Sequence, residues 1–148
     1  MSKETSPLLI FWKKSLSEKI FLFRIFLMLS LAGIANLILP FKVYARFLGE
    51  INSESPKNPQ QVDWKYVNRI AKSVRNVSKV SPFDFKCLVQ ATIGKYFIAQ
   101  ERIESTIYFG VRKDKSNNLK AHAWLRVGPK IVLGGEVADQ YNIVSTYS

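Results

Sequence analysis

The sequence predicts an α+β domain behind a long apolar helix, on three observations. Apolar residues recur at helical steps as far as Gln100, and beyond it the period changes to two. A polar stretch with two prolines, residues 50–62, divides the chain into a segment of 1–49 and a patterned region of 63–148. The chain has 148 residues, 47% of them hydrophobic, enough for one domain with a core of its own.

Residues 1–19 are mixed in character, with Ser17-Glu18 a candidate helix start. From Ile20 to Leu39 the only charge is Arg24. As a helix this stretch would be about 30 Å long, the thickness of a bilayer core. It lacks the small-residue cleavage site of a secretory signal and runs into Pro40-Phe41-Lys42 instead. Three readings stay open: a transmembrane anchor, a helix lying in the membrane interface, and a helix packed on the rest of the protein. Pro40 breaks the helix, and Phe41 to Leu48 reads as a short amphipathic continuation stopped by Gly49.

Past the linker, Asp63 is a fitting cap for a helix from Trp64 to Val80. Trp64, Val67, Ile70 or Ala71, Val74 and Val77 form its apolar side, and Lys65, Arg69, Lys72, Arg75 and Lys79 form a basic stripe. Such a stripe is ordinarily a solvated face; the functional alternative is a docking face for an acidic peptide or anionic lipid. Ser81-Pro82 interrupts the pattern, and a second helix is predicted from Asp84 to Gln100. Strands follow at Ser105–Val111, Lys120–Val127 and Ile131–Leu133, with Lys113–Asn118 a loop and Gly128-Pro129-Lys130 a tight turn. Alternation puts His122, Trp124 and Arg126 on one face of the middle strand and Ala123, Leu125 and Val127 on the other. Gly134-Gly135 then bends the chain.

Composition narrows the function. A single cysteine excludes an intramolecular disulfide framework and a Cys-rich zinc site. With one histidine and no acidic cluster, neither a metal nor another cofactor is expected. The formal net charge of +11 comes from 22 basic and 11 acidic residues spread along the chain, which favours an anionic partner. No nucleic-acid motif accompanies the charge, so no nucleic-acid partner is expected. A Gly-rich phosphate loop of the P-loop pattern is also missing.

The lone cysteine and lone histidine carry the chemistry. Cys87 opens the second predicted helix, where the positive end of the helix dipole and neighbouring Lys86 favour a thiolate. His122 lies on a later strand, and an imidazole there would take the thiol proton and later protonate a leaving amine. A lone Cys is more often a small buried hydrophobe and a lone His more often structural. The joint placement, Cys at a helix start and His on a following strand, raises the reading of a Cys–His enzyme.

Three stretches extend it: the apolar helix ending in Leu39-Pro40-Phe41-Lys42-Val43-Tyr44-Ala45-Arg46-Phe47-Leu48-Gly49, the basic helix followed by Cys87-Leu88, and Gly110-Val111-Arg112 followed by Ala121-His122-Ala123-Trp124-Leu125. In this order they resemble the transglutaminase-like peptidases, with their papain-like Cys-helix and His-sheet core. More narrowly, they resemble the stand-alone leader peptidase of lasso-peptide biosynthesis, the C-terminal half of the lasso B protein. The resemblance implies a cysteine peptidase that removes the leader from a ribosomally made precursor peptide, with Cys87 as nucleophile and His122 as general base and acid. The family's third member is an Asp on the strand after the His; here Glu136, Asp139 or a backbone carbonyl is left to orient the imidazole. The backbone N–H of Cys87 is a reasonable oxyanion donor. The resemblance also implies a separate leader-binding protein and a lasso cyclase as partners. The single cysteine fits a reducing cytoplasm, with contact of residues 20–41 with the inner face of the cell membrane left open among the three readings. A related Cys–His acyltransferase and a non-catalytic membrane-associated binding protein are the alternatives.

Overall fold

The computed structural model describes residues 13–148. The first twelve residues of the 1–49 segment lie outside the described residues. Helix α1, Leu16–Ile38, is capped by Ser15, whose hydroxyl accepts the Glu18 N–H at 3.3 Å. Pro40 starts a single turn, α2, Phe41–Tyr44, continued as a 3-10 turn through Phe47. Helix α3, Trp64–Val80, is capped as predicted, with Asp63 Oδ1 accepting the Tyr66 N–H at 3.0 Å. Val67, Ile70, Ala71, Val74 and Val77 are buried along it.

Helix α4 runs Cys87–Ala99, three residues shorter at its start than the spacing predicts. Phe85 explains the difference. It turns into the core, packing edge-on to Phe26 at 6.4 Å, so Asp84 to Lys86 are drawn out of helical geometry. The cysteine thereby becomes the first residue of the helix.

Four antiparallel strands follow: β1 Thr106–Lys113, β2 Leu119–Val127, β3 Lys130–Leu133 and β4 Asn142–Tyr147, in the order β3-β2-β1-β4. In the β1–β2 register Phe109 stands opposite Ala123 and Gly110 opposite His122. Sequence periodicity found the first three strands. It missed β4 and the 3-10 turn Gly135–Gln140 that leads into it, because Asn142 to Val144 are all exposed and no apolar alternation marks them. The helices cover one face of the sheet, where Ala123, Leu125 and Val127 join the main core. The other face carries a small cluster of Tyr108, Trp124, Ala138 and Tyr141.

The approach of α4 to the sheet is set by Gly94, where a Cβ would lie 2.5 Å from Leu133 Cδ1 and 3.1 Å from Leu125 Cδ2. Helix α1 lies antiparallel to α4, with Phe21 against Phe97 at one end and Gly33 against Phe85 at the other. Ile25 and Leu29 are fully buried between them. Arg69 reaches from α3 to bond Glu18 at 2.9 Å and lies over the Phe21 ring. Two members of the basic stripe are therefore structural, since Arg75 likewise donates to the Val132 carbonyl at 3.0 Å.

Residues 50–62 join the two parts of the chain but do not run free of them. Glu50 and Asn52 bond the backbone of Ser148 and Thr146 beyond β4 and within it. The buried guanidinium of Arg126 donates to the Gly128 carbonyl at 2.6 Å, the Ser55 carbonyl at 2.8 Å and the Tyr108 hydroxyl at 2.8 Å. Thr106 Oγ1 adds a bond from the Ser55 N–H at 2.8 Å. A buried charge with this many acceptors holds the strap firmly to β1 and β2.

Candidate active site

Cys87 is half-buried at the first position of α4, where the N–H groups of the opening turn have no carbonyl behind them inside the helix. Its Sγ accepts a hydrogen bond from the Ala123 N–H at 3.4 Å. The Ala123 nitrogen is two covalent bonds from His122 Cα, so the sulfur lies less than about 6 Å from that carbon. The fold thus delivers the thiol to the residue beside the histidine.

The imidazole meets the same stretch of β2 from the sheet's other side. Its ring stacks on Trp124, with centroids 5.9 Å apart and planes 24° from parallel, and is flanked by Tyr141 at 5.2 Å. Nε2 stands 2.7 Å from the Gly134 carbonyl oxygen. A carbonyl only accepts, so the proton of the neutral ring is assigned to Nε2, and Nδ1 keeps its lone pair. Gly134 presents that oxygen from a left-handed turn at φ 72°, and a Cβ there would lie 2.7 Å from the Ala123 oxygen. Among the described residues no hydrogen bond joins Sγ to the ring. The thiol packs on the helix side of β2 and the ring on the side of Trp124 and Tyr141, so the two side chains leave the strand on opposite faces and do not meet in this arrangement.

The column of rings continues at both ends. Tyr108 lies flat on Trp124 at 5.7 Å and 5°, the Arg126 guanidinium covers Tyr108, and Arg112 covers Tyr141 at 4.9 Å while bonding Gln140 at 2.6 Å. His122 is therefore one plate in a stack closed by two cations. Trp124 and Arg126 were legible as its face-mates from alternation. Tyr141 was not, because it enters from the unpredicted turn before β4.

The geometry narrows the options at the imidazole and draws Lys86 away from the thiol. Glu136 and Asp139 are both exposed on the 3-10 turn, and the atom on Nε2 is the backbone carbonyl of Gly134, the third of the options the sequence left open. Lys86 directs its ammonium to Asp84 at 2.7 Å in solvent, so its charge is largely answered there instead of at the thiol. That ion pair, foremost its hydrogen bond, holds the Lys86 pKa above its ordinary value.

A groove of about 320 Å³ opens beside the start of α4, lined by Arg75, Ser78, Lys79, Phe85, Gln90 and Glu136. A larger hollow of about 860 Å³, lined by Trp64, Arg102 and Pro129 among others, lies beyond the far end of α4, away from the thiol. Neither Cys87 nor His122 lines either hollow.

The model of the transglutaminase-like superfamily matches residues 35–146, three quarters of the chain. The chain belongs to the transglutaminase-like superfamily. No curated protein and no solved structure matches it. The matched span begins within α1 and ends in β4, so α2, the strap at 50–62 and the whole sheet belong to the transglutaminase-like domain. Members of this superfamily are typically cysteine-dependent enzymes, and the membership is consistent with peptidase or acyltransferase activity.

Proposed function

We propose that this chain is a cysteine peptidase that removes the leader from a ribosomally synthesised lasso-peptide precursor. The observation that carries the reading is the hydrogen bond from Ala123 N–H to Cys87 Sγ, which sets a thiol at the start of a helix against the backbone of the residue that follows His122. Superfamily membership and the ordered motifs around Leu39-Pro40-Phe41, Cys87-Leu88 and Ala121-His122-Ala123-Trp124 support it.

In the proposed reaction the His122 ring and the start of α4 first rearrange to meet at the edge of β2, and Nδ1 then takes the Cys87 thiol proton as Sγ attacks the scissile carbonyl carbon. The Nε2–H bond to Gly134 sets the resting tautomer, which leaves Nδ1 free to accept a proton. The Sγ–C bond forms, the carbonyl oxygen becomes an oxyanion, and first-turn N–H groups of α4 face the developing charge. Collapse breaks the C–N bond, and the imidazolium gives its proton to the departing core amine. Water, deprotonated by His122, then hydrolyses the thioester and releases the leader with a free carboxylate. A leader-binding protein would deliver the precursor and a lasso cyclase would take the core. No cofactor enters any step.

The test combines the purified chain with precursor peptide and the leader-binding partner and reads the products by mass spectrometry. A leader ending in a free carboxylate, lost in Cys87→Ala, is expected. Cleavage by Cys87→Ala overturns the nucleophile assignment. A leader recovered as an amide of an added amine makes the protein an acyltransferase.

A further inference from the structure

Helix α1 is the one described helix long and apolar enough to cross a membrane, and it is held to the domain along only one side. Its exposed residues are Leu16, Ser17, Ile20, Phe23, Arg24, Leu27, Leu31, Ile34, Leu37 and Ile38. Eight of these ten are large hydrophobics, Leu37 being 86% and Phe23 63% exposed. The steps 16, 20, 23, 27, 31, 34, 38 trace one continuous stripe along the whole helix. The exposed side chains of Phe41 and Phe47 carry the apolar surface on past Pro40. A soluble monomer rarely leaves this much contiguous apolar surface to water.

Charge identifies the occupant. Residues 13–50 carry six basic and two acidic side chains. Lys42 and Arg46 are exposed among Phe41, Val43 and Phe47, and one of the two acids, Glu18, is turned inward onto Arg69. An apolar helix face with cations at its border is the pattern of a helix lying in an anionic lipid surface. The contacts of the opposite side argue against spanning. To cross a bilayer α1 would have to leave Phe97, Phe85 and Arg69, stripping the cover from Ile25, Leu29 and the α4 core.

We propose that the outward face of α1, together with the Phe41–Phe47 corner, docks in the plane of an anionic phospholipid membrane while its inward face stays packed on the domain. The end of α1 at Gly33 lies beside Phe85, and Phe41 packs on Phe109 at 5.4 Å, so docking holds the Cys87 end of α4 near the lipid headgroups. The proposal stands independently of the reaction assigned to Cys87.

The test sediments the full chain with vesicles of phosphatidylglycerol and phosphatidylcholine, or of phosphatidylcholine alone. Binding to the anionic vesicles is expected to be at least about tenfold stronger, and Lys42→Gln with Arg46→Gln should remove most of that preference. Phe23→Glu with Leu31→Glu should lower binding at least about tenfold. Phe23→Trp, which keeps the face apolar, should be quenched by bromolipids beyond the wild-type background even if the charged variants fold poorly. Absence of quenching overturns the proposal. So does carbonate-resistant insertion, which means a span, or a lipid-free dimer that Phe23→Trp with Leu31→Asn dissociates, which means the face joins two copies.

Discussion

His122 Nε2 and the Gly134 carbonyl oxygen stand 2.7 Å apart, so the imidazole is oriented by the main chain of a left-handed glycine turn and not by a side-chain carboxylate. Neutralising the nearby acids should then matter little. Glu136→Gln and Asp139→Asn are each expected to keep kcat/KM within about threefold of wild type. A loss of a hundredfold in either would transfer the orienting role to that carboxylate.

Gly134→Ala should be far more damaging. A Cβ at φ 72° costs about 1–2 kcal/mol in backbone strain alone, and it would also press on the Ala123 oxygen and the Trp124 Cα. The turn must open, carrying the carbonyl off Nε2. Thermal unfolding should show a moderate loss of stability, while leader release should fall by at least about a hundredfold. Equal activity with a lowered melting temperature would mean the carbonyl does not position the ring.

Cys87→Ala and Cys87→Ser should both lower leader release by at least about a thousandfold, because a hydroxyl in the same place is a far weaker nucleophile than a thiol. The Sγ contact with Ala123 N–H is long, so circular dichroism and melting temperature should stay close to wild type. His122→Ala should match the loss in activity.

How much of this was legible beforehand follows from where each residue sits. Helix α3 and its Asp63 cap announce themselves because one side is buried and the other wet. Strand β2 is legible from its alternation of residue types, although both of its faces are buried from Ala123 to Val127. The start of α4 misled by three residues, since Asp84-Phe85-Lys86 has helical composition and only the tertiary pull on Phe85 breaks it. Residues 50–62 looked like a linker because prolines and polar side chains mark irregular backbone. Nothing local shows that Arg126, seventy residues on, clamps that backbone down. The orienting carbonyl of Gly134 was nearly invisible, as a main-chain oxygen has no residue type to betray it.

Arg126 gives a further measurement. Arg126→Met would leave the Ser55 and Gly128 carbonyls and the Tyr108 hydroxyl without their buried donor, at a cost of about 3 kcal/mol. Chemical denaturation should report that loss, and hydrogen exchange should rise first at residues 54–56. Unchanged protection there would mean that the Thr106 bond alone fixes the strap.

Lys95 should impose a pH dependence on stability. Burial lowers its pKa from the ordinary 10.5 to about 8, while its ammonium donates to the Ser105 and Tyr147 carbonyls. Between about pH 8 and 10.5 the unfolded chain therefore binds more protons at this site than the folded one, and stability rises with pH. The contribution is complete above 10.5 and lost as pH falls to 8. Wild type measured against Lys95→Met should gain stability across that window; a flat difference would place the ammonium in water.

Gly94 sits seven residues after Cys87, about 10 Å along the same rigid helix. Its missing side chain lets α4 rest directly on Leu125 and Leu133, so the height of the thiol above β2 is governed from two turns away. The arrangement works as a lever whose fulcrum is a hydrogen atom. One added methyl there would lift the helix off a sheet that is too tightly filled to yield, and the sulfur would leave Ala123 before any residue around it had changed.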